Sequence, residues 1–110
     1  MSARFEISPT VESFCQFHFI DSQGDTVLLS GEYESRDLAE KAIQDVRVSS
    51  LISQQIAKGI TPAGEMFFVI KNNGGQVIAK SVLYDNEMRF DNALHSVKEN
   101  ACIAKIDHIG

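Results

Sequence analysis

Two cysteines are all that 110 residues hold, too few for a disulfide framework. Isolated cysteines usually behave as small buried apolar residues, so Cys15 and Cys102 point to a reducing, cytoplasmic setting. Long hydrophobic runs are missing as well. The longest, Val27–Leu29 and Met66–Ile70, are strand-sized, and a membrane-spanning helix is not expected. Ser-Ala-Arg-Phe-Glu after Met1 carries no basic cluster and no apolar stretch, so no secretory leader is expected. Basic charge is in deficit, with 10 Lys and Arg against 15 Asp and Glu and a net charge of −5. Such a chain repels phosphate backbones and anionic lipid, which argues against nucleic-acid and membrane partners.

What remains is ordinary for a folded protein: 44% hydrophobic and 23% charged residues. The length fits a single domain, residues 1–110, with enough surface to bury for one core. The charge is uneven. Residues 1–53 hold four basic and nine acidic groups, whereas residues 54–110 hold six of each. That asymmetry reads first as a solvated face and second as a docking surface for a basic partner.

An internal repeat organises the chain into units of about 1–53 and 54–110. At a constant offset of 51 positions Phe17 meets Phe68, Gly24 meets Gly75, Ser30 meets Ser81 and Tyr33 meets Tyr84. Ala42 with Ala93, Val46 with Val97 and Ile52 with Ile103 extend the match without a gap. Two copies are too few for a solenoid, so a pseudo-twofold pair packed on itself is expected, one sheet with both helices on the same side.

Each copy predicts the same elements. Cys15, Phe17 and Phe19 alternate with Gln16 and His18, as Met66, Phe68 and Ile70 do with Phe67 and Val69, the period of a half-buried strand. Ser22-Gln23-Gly24-Asp25 and Asn72-Asn73-Gly74-Gly75 supply hairpin turns. Strands follow at about Thr26–Ser30 and Val77–Ser81. Ser35 and Asn86 then stand as N-caps, with Asp37 and Glu87 favoured by the helix dipole. Leu38, Ala42, Ile43 and Val46 recur at helical spacing, as do Phe90, Ala93, Leu94 and Val97. Further strands are expected at Arg4–Ser8 before the first hairpin and around Ile103–Ile109 after the second helix. Val48–Ile60 is ambiguous: spacing extends the helix to Gly59, while the offset pairs Ile52 with Ile103 and favours a strand.

The groups that could carry chemistry do not assemble. Cys15 and His18 are an odd number of residues apart on a strand and face opposite ways, so they cannot share a metal. Asp91 and His95 share a helix face, which reads as a surface pair before it reads as an oriented base. Asn73-Gly74-Gly75 lacks the lysine and the helix start of a phosphate loop. Tyr33 and Tyr84 sit at equivalent strand–helix corners, as packing plugs or as a symmetric ligand site in a groove that Asp91 and His95 would assist. His108 suggests no role. No catalytic residues, metal or cofactor are expected.

The second copy resembles a known family. Gly64-Glu65-Met66-Phe67-Phe68-Val69-Ile70-Lys71, Gly75-Gln76-Val77-Ile78, Ser81, Tyr84 and Ser96-Val97-Lys98-Glu99-Asn100-Ala101 are similar to the YegP-like tandem-repeat proteins of bacteria. The resemblance implies an α+β fold of two β-β-β-α-β units in one antiparallel sheet, with the post-helix strands exchanged between halves. It implies no activity, the family's function being unassigned. The chain departs from the pattern at Ala42 and Ala93, where glycine is frequent. It departs again in the first copy's Gln23-Gly24 turn and Arg47-Val48-Ser49-Ser50 ending, and in the poorly marked opening strand near Ile56–Ile60.

The leading expectation is a non-enzymatic binding or accessory domain that engages a protein partner, or itself, through the free sheet face. Gln16, His18, Phe67 and Val69 would lie there, with Phe67 and Val69 exposed together as an apolar patch. A small-ligand protein or minor enzyme using the groove near Tyr33, Tyr84, Asp91 and His95 is the alternative. Single-stranded nucleic acid stacked on Phe67 and Phe68 is weaker, because adjacent strand residues point to opposite faces.

Overall fold

The alternation of apolar and polar residues along the chain becomes strands, and the 3.6-residue stripes become helices. The structure, a computed structural model, describes residues 2–109. Its elements run β1 (Arg4–Pro9), β2 (Cys15–Ile20), β3 (Thr26–Leu29) and α1 (Arg36–Ser49). A short 3-10 turn at Ser53–Gln55 leads into β4 (Ile56–Ile60), β5 (Met66–Lys71), β6 (Val77–Ser81), α2 (Glu87–Asn100) and β7 (Lys105–His108). All seven strands belong to one sheet in the order β4-β5-β6-β3-β2-β1-β7.

Local chemistry sets the boundaries. The Ser35 hydroxyl accepts from the Leu38 N–H at 3.2 Å, and the Asn86 side chain accepts from the Met88 and Arg89 N–H groups at 2.9 and 3.2 Å. Each cap satisfies donors that the first helical turn leaves free. Between β2 and β3 the Asp21 carboxylate takes the N–H of Gln23 and Asp25, and Asn72 does the same for Gly74 and Gln76 between β5 and β6. Gly24 and Gly75 hold positive φ there, at 89° and 82°.

One core joins the sheet and the helices. Phe5, Phe17, Phe19, Phe68 and Ile70 are fully buried, in one cluster with Ala39, Ala42, Ile43 and Val46 of α1 and Ala93, Leu94 and Val97 of α2. Helix α1 packs on β1 and β2 and reaches across to β5 and β6, while α2 packs on β5. The Ser30 hydroxyl accepts from the Phe17 N–H at 2.8 Å, and the Ser81 hydroxyl accepts from the Phe68 N–H at 2.9 Å. Cys15 is buried beside the inner phenylalanines, and Cys15 and Cys102 are both free thiols. Among the described residues no helix is long and apolar enough to cross a membrane.

Two expectations change. The sheet is mixed rather than antiparallel, because β7 lies parallel to β1, Phe5 beside Ile106. A strand that returns after a helix crosses the sheet runs in the direction its geometry allows, and here that is alongside β1. Second, a post-helix strand forms only after α2. After α1 the chain spends those residues on the 3-10 turn, with Ile52 at its head, because β4 begins at Ile56. The poorly marked opening strand at Ile56–Ile60 forms, as the sheet edge.

The C-terminal strand is tied back to α1. Arg36 donates to the Ile109 carbonyl at 3.1 Å, His108 Nε2 lies 2.6 Å from Glu40 Oε1, and Arg47 donates to the Ala104 carbonyl. His108 is thereby a strand-to-helix contact.

Candidate functional site

Strand alternation divides β1, β2, β5 and β6 into an inner register, buried in the core, and an outward register. A continuous outward row crosses all seven strands: Ala57, Val69, Lys80, Leu29, His18, Glu6 and Asp107 are successive cross-strand partners. The row changes character along its length. At the β7 end its carboxylates are held by Arg4, whose Nε lies 2.8 Å from Glu6 Oε2 and 3.9 Å from Asp107 Oδ2. At the β4 end it is apolar except for Lys80.

The neighbouring outward pairs repeat that division. Ser8 faces Gln16 between β1 and β2, and Gly59 faces Phe67 between β4 and β5. The sequence singled out Gln16, His18, Phe67 and Val69, and all four lie in this register, half-buried. Phe67 does not stand free as expected. Its ring lies over Gly59, where an added Cβ would come within 2.5 Å of the ring Cζ. The Lys80 ammonium sits 4.7 Å from the ring centroid, a cation–π contact. Leu29, 40% exposed, was not anticipated on this surface. Gly59 was legible in principle, because a glycine inside a strand marks a close approach.

The tyrosine sites form two separate grooves. Each tyrosine is bridged by paired backbone hydrogen bonds to the start of a strand, Tyr33 to Cys15 and Tyr84 to Met66. The Tyr33 ring stacks on Phe17 at 6.0 Å, and the Tyr84 ring meets Phe90 edge-on at 6.3 Å. The larger groove, about 720 Å³, lies between the β2–β3 turn and α2, with Asp21, Asp25, Tyr84, Arg89, Ala93 and His95 among its walls. The other, about 470 Å³, lies between the β5–β6 turn and α1, with Tyr33, Lys41, Ala42, Asp45, Asn72 and Gln76. Each pairs a turn from one half with a helix from the other, which only the β6–β3 junction brings about.

The structure therefore places Tyr84 and His95 in one groove and Tyr33 in the other. Asp91 lines neither. His95 pairs instead with Glu99, Nε2 to Oε1 at 3.1 Å, on an exposed helix surface, so the expected Asp91–His95 pair does not form. Burial pushes both phenols up: Tyr33 by desolvation and then by Asp45, Tyr84 by desolvation and then by Asp21 and Asp25. Both hydroxyls stay protonated, able to donate a hydrogen bond, at neutral pH. Cys15 lies buried in the inner register and His18 in the outward one. Asn73, Gly74 and Gly75 form the β5–β6 hairpin turn.

Comparison with known proteins adds the following. The family described as Domain of unknown function (DUF1508) matches residues 62–107. The UPF0339 protein YegP of Escherichia coli O157:H7 is 31% identical over 100 residues, spanning 91% of each chain. The UPF0339 protein PA0329 of Pseudomonas aeruginosa is 30% identical over 100 residues, spanning 89% of each. Among solved structures, the solution NMR structure of UPF0339 protein SO3888 from Shewanella oneidensis superposes with a TM-score of 0.92 at 27% identity. That match covers 98% of this chain and 92% of the other. The NMR structure of yegP from E. coli, a protein of unknown function, gives 0.89 at 28% identity, covering 98% and 93%.

Proposed function

We propose, for a chain that belongs to the DUF1508 (UPF0339) family of unknown function, a non-enzymatic binding role exercised through the outward face of its sheet. In this reading the chain is one domain of two tandem units related by a pseudo-twofold, with both helices on the inner side. The outer face is then free for a protein partner or a second copy. Equivalent bonds 51 positions apart support the tandem reading, those of Ser30 and Ser81 and those of Tyr33 and Tyr84 being the plainest. Two free thiols accord with a cytoplasmic location.

The observation that carries the proposal is the outward row's β4 half, where Ala57, Val69 and Leu29 stand with Phe67 on the side away from the core. Apolar groups gathered on one surface mark a contact site more often than scattered ones. The test is a photo-crosslinking residue placed at Val69 and, separately, at the exposed Asp91 of α2, with each protein irradiated in extract of its source cells. A discrete adduct from position 69 alone is expected. Adducts from position 91 alone would refute the assignment of the face.

A second reading rests on the two grooves, whose walls are built from the same parts. Tyr33, Ala42, Asn72 and Gln76 in one correspond to Tyr84, Ala93, Asp21 and Asp25 in the other. Under it a small polar ligand sits against the Tyr84 hydroxyl. A fragment screen by NMR decides it: shifts confined to Tyr84, Arg89 and His95 support it, and their absence removes it.

A further inference from the structure

We infer that the β4 half of the outward face docks an extended acidic polypeptide segment, one carboxylate on Lys80 and a neighbouring apolar side chain beside it. The inference rests on the open-face reading and specifies the partner's chemistry. It starts from the position of Lys80. In the outward row its two cross-strand neighbours are Val69 and Leu29, and neither offers an acceptor. Its ammonium is held above the Phe67 ring. Among the described residues no carboxylate lies within ion-pair distance of it; the outward carboxylates Glu6 and Asp107 belong to Arg4 at the far end of the row. The chain as a whole carries −5, yet the apolar part of this face carries only positive charge.

The surroundings set the rest of the recognition chemistry. Beside Lys80 the β3–β6 seam rests on two residue pairs, Leu28 with Ser81 and Leu29 with Lys80. Past Leu29 it opens into a depression of about 610 Å³ lined by Leu29, Gly31, Val77, Ile78, Lys80 and Leu83. Leu29, Val77 and Leu83 are exposed at 40%, 56% and 46%. Such a hollow accepts one aliphatic or aromatic side chain, and the lysine at its rim selects a carboxylate next to it. Desolvation under the bound segment would strengthen that ion pair relative to a surface pair in water. Complementary charge of this kind chooses the partner more than it adds affinity.

The full chain, labelled with ¹⁵N, is titrated at low salt with a random copolymer of glutamate and tyrosine. A lysine–tyrosine copolymer and a thymidine oligonucleotide serve as comparisons. The expected result is amide shifts centred on Leu29, Phe67, Val69 and Lys80 with the acidic copolymer alone, weakened about fivefold in Lys80→Glu. Lys105→Glu, the same charge change on β7, should leave binding within about twofold of the parent. An unperturbed spectrum of each free variant establishes that it is folded. Unchanged binding by Lys80→Glu, or shifts confined to the helices, would overturn the inference. Equal shifts with the oligonucleotide would replace it with a nucleic-acid surface, and shifts that grow with protein concentration alone would replace it with a second copy. If only the basic copolymer perturbs these residues, the open-face reading survives and the acidic partner does not.

Discussion

Strands β2 and β5 share an inner register and differ in the outer one, whereas β1 and β4 differ in both: Phe5 and Ile7 are buried, but Ile56 is half-buried and Lys58 exposed. Inside, Phe17 and Phe68 are both completely buried, and a serine hydroxyl accepts the N–H of each. Outside, the first half presents Glu6 with His18 and Ser8 with Gln16, while the second presents Ala57 with Val69 and Gly59 with Phe67. Residues that must fill a core are held to size and shape, whereas outward residues answer to whatever meets that face. The edges differ too. Strand β1 is covered by β7, but β4 has no outer neighbour, and it carries Lys58 opposite Phe68. A lysine on an open edge is a common guard against sheet-to-sheet pairing.

If the inner registers of β2 and β5 are equivalent, Phe17→Ala and Phe68→Ala should be the most damaging changes and should match each other. Each removes a buried ring and leaves a cavity, at a cost of about 3–5 kcal/mol. A domain of this size has about 5–15 kcal/mol in total, so denaturant melts should show both variants close to unfolding. Unequal losses would break the comparison. Ser30→Ala and Ser81→Ala each leave a strand N–H without its acceptor, at about 1–3 kcal/mol. The second should cost more, because its bond is buried and that of Ser30 only partly so.

The hairpin turns sharpen the comparison at smaller amplitude. Ser13, between β1 and β2, holds φ at 68°, and its counterpart between β4 and β5 is Gly64 at 86°. Left-handed backbone costs a non-glycine residue about 1–2 kcal/mol, so Ser13→Gly should raise the melting temperature and Gly64→Ser lower it. The smallest effect is expected in alkali. Tyr33 and Tyr84 have their phenols raised above 10.0 by burial and then by nearby carboxylates. Because the unfolded chain ionises first, the stability they contribute is complete below pH 10.0. It is lost as pH rises through the higher folded values. Tyr84→Phe should flatten the fall in stability above that pH, as followed by urea melts at stepped pH.

Much of this architecture was legible in the sequence because it depends on local periodicity. The alternation around Phe17 and Phe68, the caps at Ser35 and Asn86 and the turns at Gly24 and Gly75 each involve residues a few positions apart. What was not legible depends on strand order. No local signal says that β7 will lie parallel to β1, or that the Asp21 turn will face α2 and so separate Tyr84 from Tyr33. Position 52 misled through its match to Ile103, because neither lies in a strand: Ile52 heads the 3-10 turn before β4, and Ile103 lies in the turn before β7. Asp91 and His95 share a face in any helix, but Glu99, four residues on, takes the imidazole. Of the outward surface, Phe67 and Val69 were readable from alternation. The seating of Phe67 over Gly59 required the register of β4 against β5.

The claim that most depends on the two registers is that β5 has a core face and a contact face, and adjacent residues test it. Phe67→Ala and Phe68→Ala are compared by denaturant melts of the free protein at several concentrations. Phe68→Ala should cost about 3–5 kcal/mol. Phe67→Ala, losing the cover on Gly59 and the contact with Lys80, should cost about 1 kcal/mol. Neither loss should vary with protein concentration if the partner is a different chain, whereas a loss at Phe67 that grows with concentration identifies the partner as a second copy. Equal losses independent of concentration would mean that β5 is buried on both faces, and the outward face would not be a binding surface.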